Sequence, residues 1–148
     1  MPGALVRAVT GPTNITARQR AFVRFSLTEM RAPTEFRSGA AFGVDTVAAF
    51  RALELWPDAR HVLYVPAGHH NFHLSEHWEG DRQDCAEGRT PADSYRARNG
   101  AMVHGAHELV AYVRKAAFYR SGEWMTIGIA TRLGVSVEMR VLPRDVEA

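Results

Sequence analysis

Ser38-Gly39-Ala40-Ala41-Phe42-Gly43-Val44-Asp45 lies between two segments of different character. Before it, Glu35-Phe36-Arg37 is short and extended. After it, residues 43–55 are rich in alanine, a strong helix former, and stop at Trp56-Pro57. A small-residue turn joining a strand to a helix is the repeating unit of a parallel α/β sheet, and ligands in such sheets sit beyond the carboxyl ends of the strands. The small side chains let a ligand approach the backbone. The first N–H groups of the helix then face it, and the helix dipole favours an anion. On this reading Ser38, Gly39, Ala40 and Gly43 contact a ligand. Asp45 either caps the helix or takes a hydrogen bond from a sugar hydroxyl. A capping turn without a ligand is the alternative.

Working outward, the same alternation recurs. Residues 5–9 form a short strand candidate ending in the turn Thr10-Gly11-Pro12-Thr13-Asn14. An apolar stripe through Phe22, Val23, Leu27 and Met30 marks a helix over 15–30, stopped at Ala32-Pro33. His61-Val62-Leu63-Tyr64-Val65 is a buried strand, and residues 67–93 are polar and aperiodic, a long insertion. A helix near 95–103, a strand over 108–113, a helix from about 124 to 133 and a strand over 135–142 complete the chain. The order predicts a three-layer Rossmann-like α/β domain with a mainly parallel sheet of about five strands.

The chain's 148 residues, 46% hydrophobic and 23% charged, suit one globular domain spanning 1–148 and exclude global disorder. No apolar run approaches a membrane span and no signal peptide is visible. Cys85 is the sole cysteine, so no intrachain disulfide forms. These features predict a cytoplasmic protein with no membrane partner. The net charge is only +2, too mild to demand nucleic acid, which is not expected as a partner.

Further constellations carry candidate chemistry. Ser121-Gly122-Glu123-Trp124-Met125-Thr126 repeats the strand–turn–helix device, so Ser121, Gly122, Trp124 and Thr126 join the ligand candidates, with Gly11, Pro12 and Thr13 from the first turn. Trp124 either stacks on a base or fills the core. Arg96, Arg98 and Asn99 offer guanidinia and an amide to a phosphate or ribose, with Arg96 and Asn99 three apart on one helix face; a solvated arginine face is the alternative. His69, His70, His73 and His77 form a histidine-rich stretch, with His73 and His77 at the spacing of two ligands on one helical face. No fixed zinc signature is matched. No cofactor is required by these motifs, and a divalent metal at the histidines stays open.

Ser38-Gly39-Ala40-Ala41-Phe42-Gly43-Val44-Asp45 resembles the Ser-Gly-x-x-x-Gly-x-Asp turn of the SLOG superfamily, the Rossmann-like nucleotide-binding domains related to DNA-processing protein A and the lonely-guy phosphoribohydrolases. Ala8-Val9-Thr10-Gly11 is similar to its opening strand and loop, Arg98-Asn99-Gly100-Ala101-Met102 to its Arg-Asn-x-x-Met element, and Ser121 to Thr126 to its second glycine loop. The resemblance spans residues 4–142 and implies a nucleotide or nucleotide derivative over the strand ends. It also implies a homo-oligomer, a dimer or tetramer. The phosphoribohydrolases' glutamate after Gly-Thr has no counterpart here. The leading expectation is therefore a module that senses or sequesters a small nucleotide-like ligand. The alternative is a hydrolase cleaving an N-glycosidic or phosphate-ester bond, with Glu123 and Asp45 as its carboxylates.

Overall fold

Strand and helix alternate through the computed structural model, which describes residues 3–67, 78–114 and 122–144. The elements are β1 (Val6–Thr10), α1 (Ala17–Thr28), β2 (Glu35–Ser38), α2 (Val44–Leu55), β3 (Arg60–Val65), β4 (Asp81–Asp84), α3 (Pro91–Val103), β5 (Glu108–Val113), α4 (Gly122–Arg132) and β6 (Ser136–Val141). All pairings are parallel, in the order β4-β3-β2-β1-β5-β6. Helices α1 and α2 pack together, as do α3 and α4. The result is the three-layer Rossmann-like arrangement the sequence predicts.

Local chemistry starts the helices where they start. Thr16 and Gln19 form a reciprocal capping box at α1: Gln19 N–H donates to Thr16 Oγ1 at 3.2 Å, and Thr16 N–H donates to Gln19 Oε1 at 3.1 Å. Thr90 caps α3 by accepting from Asp93 N–H, and Pro91 occupies the first turn, where its missing N–H costs nothing. Side-chain alternation along the strands then divides the core. Val9, Val110 and Tyr112 face Val23, Leu27 and Ala48 on the α1/α2 side. Ala8, Leu109 and Tyr64 face Met102, Val103 and Ala130 on the α3/α4 side.

The sheet has six strands rather than about five. The additional strand, β4, falls inside the polar stretch 67–93 that reads as an insertion. Asp81-Arg82-Gln83-Asp84 contains no apolar residue and all four are exposed, so no period-two pattern marks it. Its backbone is held by β3 in the register Val62↔Asp81 to Val65↔Asp84. Charged side chains suit an edge strand, since they discourage pairing with another chain. Helix α3 also begins at Pro91, four residues before the segment expected from Tyr95. Among the described residues no helix is long and apolar enough to cross a membrane.

Phe36 in β2 is 1% exposed and packs against Trp56 with ring centroids 5.7 Å apart. Phe36→Ala is expected to cost about 3–5 kcal/mol, because the surrounding layers collapse only partly onto the space left. Urea denaturation checks this: the midpoint falls while the slope stays constant.

Candidate functional site

Strand order reverses at β1. The chain runs outward through β2, β3 and β4, then returns to lay β5 on the other side of β1. The loops after β1 and β5 therefore leave toward opposite layers and open a crevice at the carboxyl rim. A half-open cavity of about 270 Å³ occupies that crevice. Thr10 to Asn14 line it from the β1 end, Ala41 and Asp45 from the turn entering α2, Arg98 and Asn99 from α3, Arg114 from the β5 end and Glu123 from α4.

The turn after β2 is built by its own residues. Gly43 adopts φ +76°, and a Cβ there would lie 2.4 Å from the Pro12 carbonyl oxygen. Only glycine tolerates both conditions. Val44 N–H donates to that same Pro12 carbonyl at 3.1 Å, tying the first loop to the start of α2. The leading amide of α2 is thus spent within the protein rather than offered to a ligand. Ser38 is fully buried, and its hydroxyl donates to the Asp45 carbonyl at 3.1 Å. Thr46 Oγ1 donates to the Ala41 carbonyl at 2.7 Å. Ser38, Gly39, Ala40 and Gly43 therefore form the wall behind the cavity, outside its lining.

Arg98 crosses from α3 to this wall. It is 7% exposed and donates through Nε to Asn99 Oδ1 at 2.6 Å and through Nη1 to the Gly39 carbonyl. A Cβ on Gly39 would lie 2.8 Å from both Arg98 Nη1 and Asp45 Oδ2, so only glycine permits this approach. Burial pulls the guanidinium below its ordinary pKa, and Asp45 opposes that shift. Asn99 also reaches α4, with Nδ2 3.7 Å from Met125 Sδ. Arg96, one turn before Asn99, is exposed, so Arg98 rather than Arg96 accompanies Asn99 into the site.

Asp45 is 5% exposed. Its Oδ2 accepts from Ala41 N–H at 3.3 Å, and Oδ1 has no hydrogen-bond partner. Burial pushes its carboxyl up to about 6; Arg98 and the Ala41 amide pull it down, and Glu123 adds a smaller upward push. Glu123 is also 5% exposed. The cavity thus sets two carboxylates, Asp45 and Glu123, against two guanidinia, Arg98 and Arg114.

Gly11, Pro12, Thr13, Asp45, Arg98, Asn99 and Glu123 are the sequence candidates that line the cavity. Gly122 opens α4 beside Glu123, whereas Thr126 is fully buried and Trp124 is half-buried outside the lining. Ser121, His69, His70, His73 and His77 lie outside the described residues, and among the described residues no group of three or more histidine, cysteine or acidic side chains could hold a metal. Arg114 was not marked by any motif. Its one sequence signal is position, the first polar residue after the apolar run of β5.

Two solved structures share this architecture. DNA processing protein A from Streptococcus pneumoniae superposes with a TM-score of 0.71 at 19% identity, covering 92% of this chain and 50% of that one. The chain has the fold of DNA processing protein A. The Helicobacter pylori protein, described in its single-stranded DNA binding mode, superposes with a TM-score of 0.68 at 18% identity, covering 96% of this chain and 66% of that one. The chain thus spans half the length of the first and about two thirds of the second. Both structures share the Rossmann-like fold that the glycine-turn resemblance implies. No family model and no curated protein matches by sequence. The partner expected from composition, a small molecule to the exclusion of nucleic acid, is overturned by the H. pylori protein, a structural neighbour that binds single-stranded DNA. The physical reason is that a net charge of +2 averages over the whole surface, whereas a strand meets one local patch.

Two outcomes are expected here. Gly43→Ala forces a side chain into a positive-φ position against the Pro12 carbonyl and lowers stability by about 2–3 kcal/mol, read from the thermal midpoint. Asp45 holds its proton more tightly folded, at about 6, than unfolded, at 3.8. The folded state therefore binds more protons across that window, and stability falls as pH rises through it, by roughly 3 kcal/mol in total. Asp45→Asn removes this slope, and urea titrations from about pH 4 to pH 7 measure it.

Proposed function

We propose that the rim cavity binds the sugar–phosphate backbone of a single-stranded nucleic acid. The observation that carries this reading is the meeting of the β1 loop, the β2–α2 turn and Arg114 at one crevice, where strand order reverses. The crevice presents two guanidinia, whose planar forks suit phosphate oxygens. Arg98 is fixed by Asn99 and Gly39, so its position costs little ordering on binding. Arg114 stands just beyond the end of β5 and lines the same crevice. The shared fold with a protein that binds single-stranded DNA supports the same partner class.

Fluorescence anisotropy of a labelled single-stranded oligonucleotide tests the reading. Binding is expected to weaken steeply as salt rises from about 50 to about 200 mM, because each neutralised phosphate releases counterions. Arg114→Ala should weaken binding and reduce the magnitude of the log–log salt slope by about 0.7, the loss of one phosphate contact to a single strand. No change in anisotropy at the lowest salt with protein in excess would show the reading to be wrong.

A further inference from the structure

The wall of the cavity holds a buried acceptor that a phosphodiester cannot satisfy. Asp45 sits in the first turn of α2, is 5% exposed and lines the crevice. Its Oδ2 is engaged by Ala41 N–H, and its Oδ1 has no partner. A buried carboxylate oxygen left without a donor is costly, so a bound group that supplies one gains that interaction in full. Phosphodiester oxygens carry no proton to donate at neutral pH. They would also meet a second carboxylate, Glu123, in the same cavity. The two carboxylates offset Arg98 and Arg114, so this is no simple anion hole.

The donor must come from a sugar or a base. Among the described residues the lining includes no aromatic and no large apolar side chain, whereas backbone loop, guanidinium and carboxylate are all present. Backbone loop, guanidinium and carboxylate are the chemistry of sugar–phosphate recognition. Within that backbone, the hydroxyl that distinguishes one sugar from another is the 2′-hydroxyl, present in ribose and missing from deoxyribose.

We propose that Asp45 Oδ1 accepts a hydrogen bond from a ribose 2′-hydroxyl and makes the crevice selective for ribonucleotide units over deoxyribonucleotide units. The inference rests on the nucleic-acid reading above and adds the sugar to it. The selecting sugar has two sources, an internal residue of an RNA strand or a single ribonucleotide at a strand end.

The test compares three oligonucleotides of one base sequence by anisotropy: all-deoxyribose, all-ribose, and deoxyribose ending in one 3′ ribonucleotide. The unmodified protein is expected to bind the all-ribose strand about tenfold or more tighter than the all-deoxyribose strand, the scale of one hydrogen bond to a charged group. A gain from the single terminal ribonucleotide assigns the terminal sugar; a gain only with the all-ribose strand assigns internal sugars. Asp45→Ala should bring the ratio of ribose to deoxyribose affinity near one. Should that variant not fold, Asp45→Asn keeps the side chain's shape. Its amide oxygen must take the Ala41 N–H, which puts the NH₂ at the Oδ1 position in place of an acceptor, and the ratio should shrink. Equal affinity of the unmodified protein for ribose and deoxyribose strands overturns the inference and leaves the nucleic-acid reading standing. A ratio unchanged by either substitution overturns the assignment to Asp45. Binding to no strand overturns both readings together.

Discussion

A buried guanidinium joins the two faces of the sheet at its functional rim. Arg98 rises from α3, on one face, to the Gly39 carbonyl, in the turn that leads to α2 on the other. It has Asp45 as counter-charge and Asn99 as hydrogen-bond partner. A guanidinium with 7% exposure is tolerable only because these partners are in place. Gly39 must lack a side chain for the approach, and the Gly43 turn must place Asp45 beside it. The glycines, the aspartate and the arginine therefore constrain one another as a unit, and the shape of the crevice follows from that unit.

The remaining polar groups at the rim serve the same scaffold. Val44 N–H reaches Pro12, Ser38 reaches the Asp45 carbonyl and Thr46 reaches Ala41. These bonds absorb donors that a phosphate-binding turn would otherwise present. What lines the crevice beside the β1 loop is a small set of charged side chains. Recognition in this crevice accordingly depends on how two guanidinia and two carboxylates are matched, and less on the helix dipole.

Much of the architecture is legible in the chain. Apolar runs such as Leu109-Val110-Ala111-Tyr112-Val113 and the alanines of α2 declare their periods, because burial on both faces of a parallel sheet demands them. The glycine turns declare the rim, because few residues other than glycine adopt φ +76° or admit a guanidinium so closely. Strand β4 is silent, since an exposed edge strand has no face to bury and is held by backbone bonds to β3. Arg114 is silent for a related reason. An arginine after a strand is ordinary until the topology shows that β5 lies beside β1.

By itself the sequence determined the alternation of strand and helix, the parallel sheet and the small-residue turns at its carboxyl ends, because each rests on local period or on backbone freedom at a single glycine. Only the tertiary structure decided which turn residues line the crevice and which sit behind it. Ser38 and Asp45 are seven positions apart in one motif, yet one is fully buried in a backbone bond while the other lines the cavity and keeps a buried carboxylate oxygen without a partner. That division depends on where α3 delivers Arg98 and where β1 delivers Pro12, contacts between segments distant in the chain that no local pattern encodes.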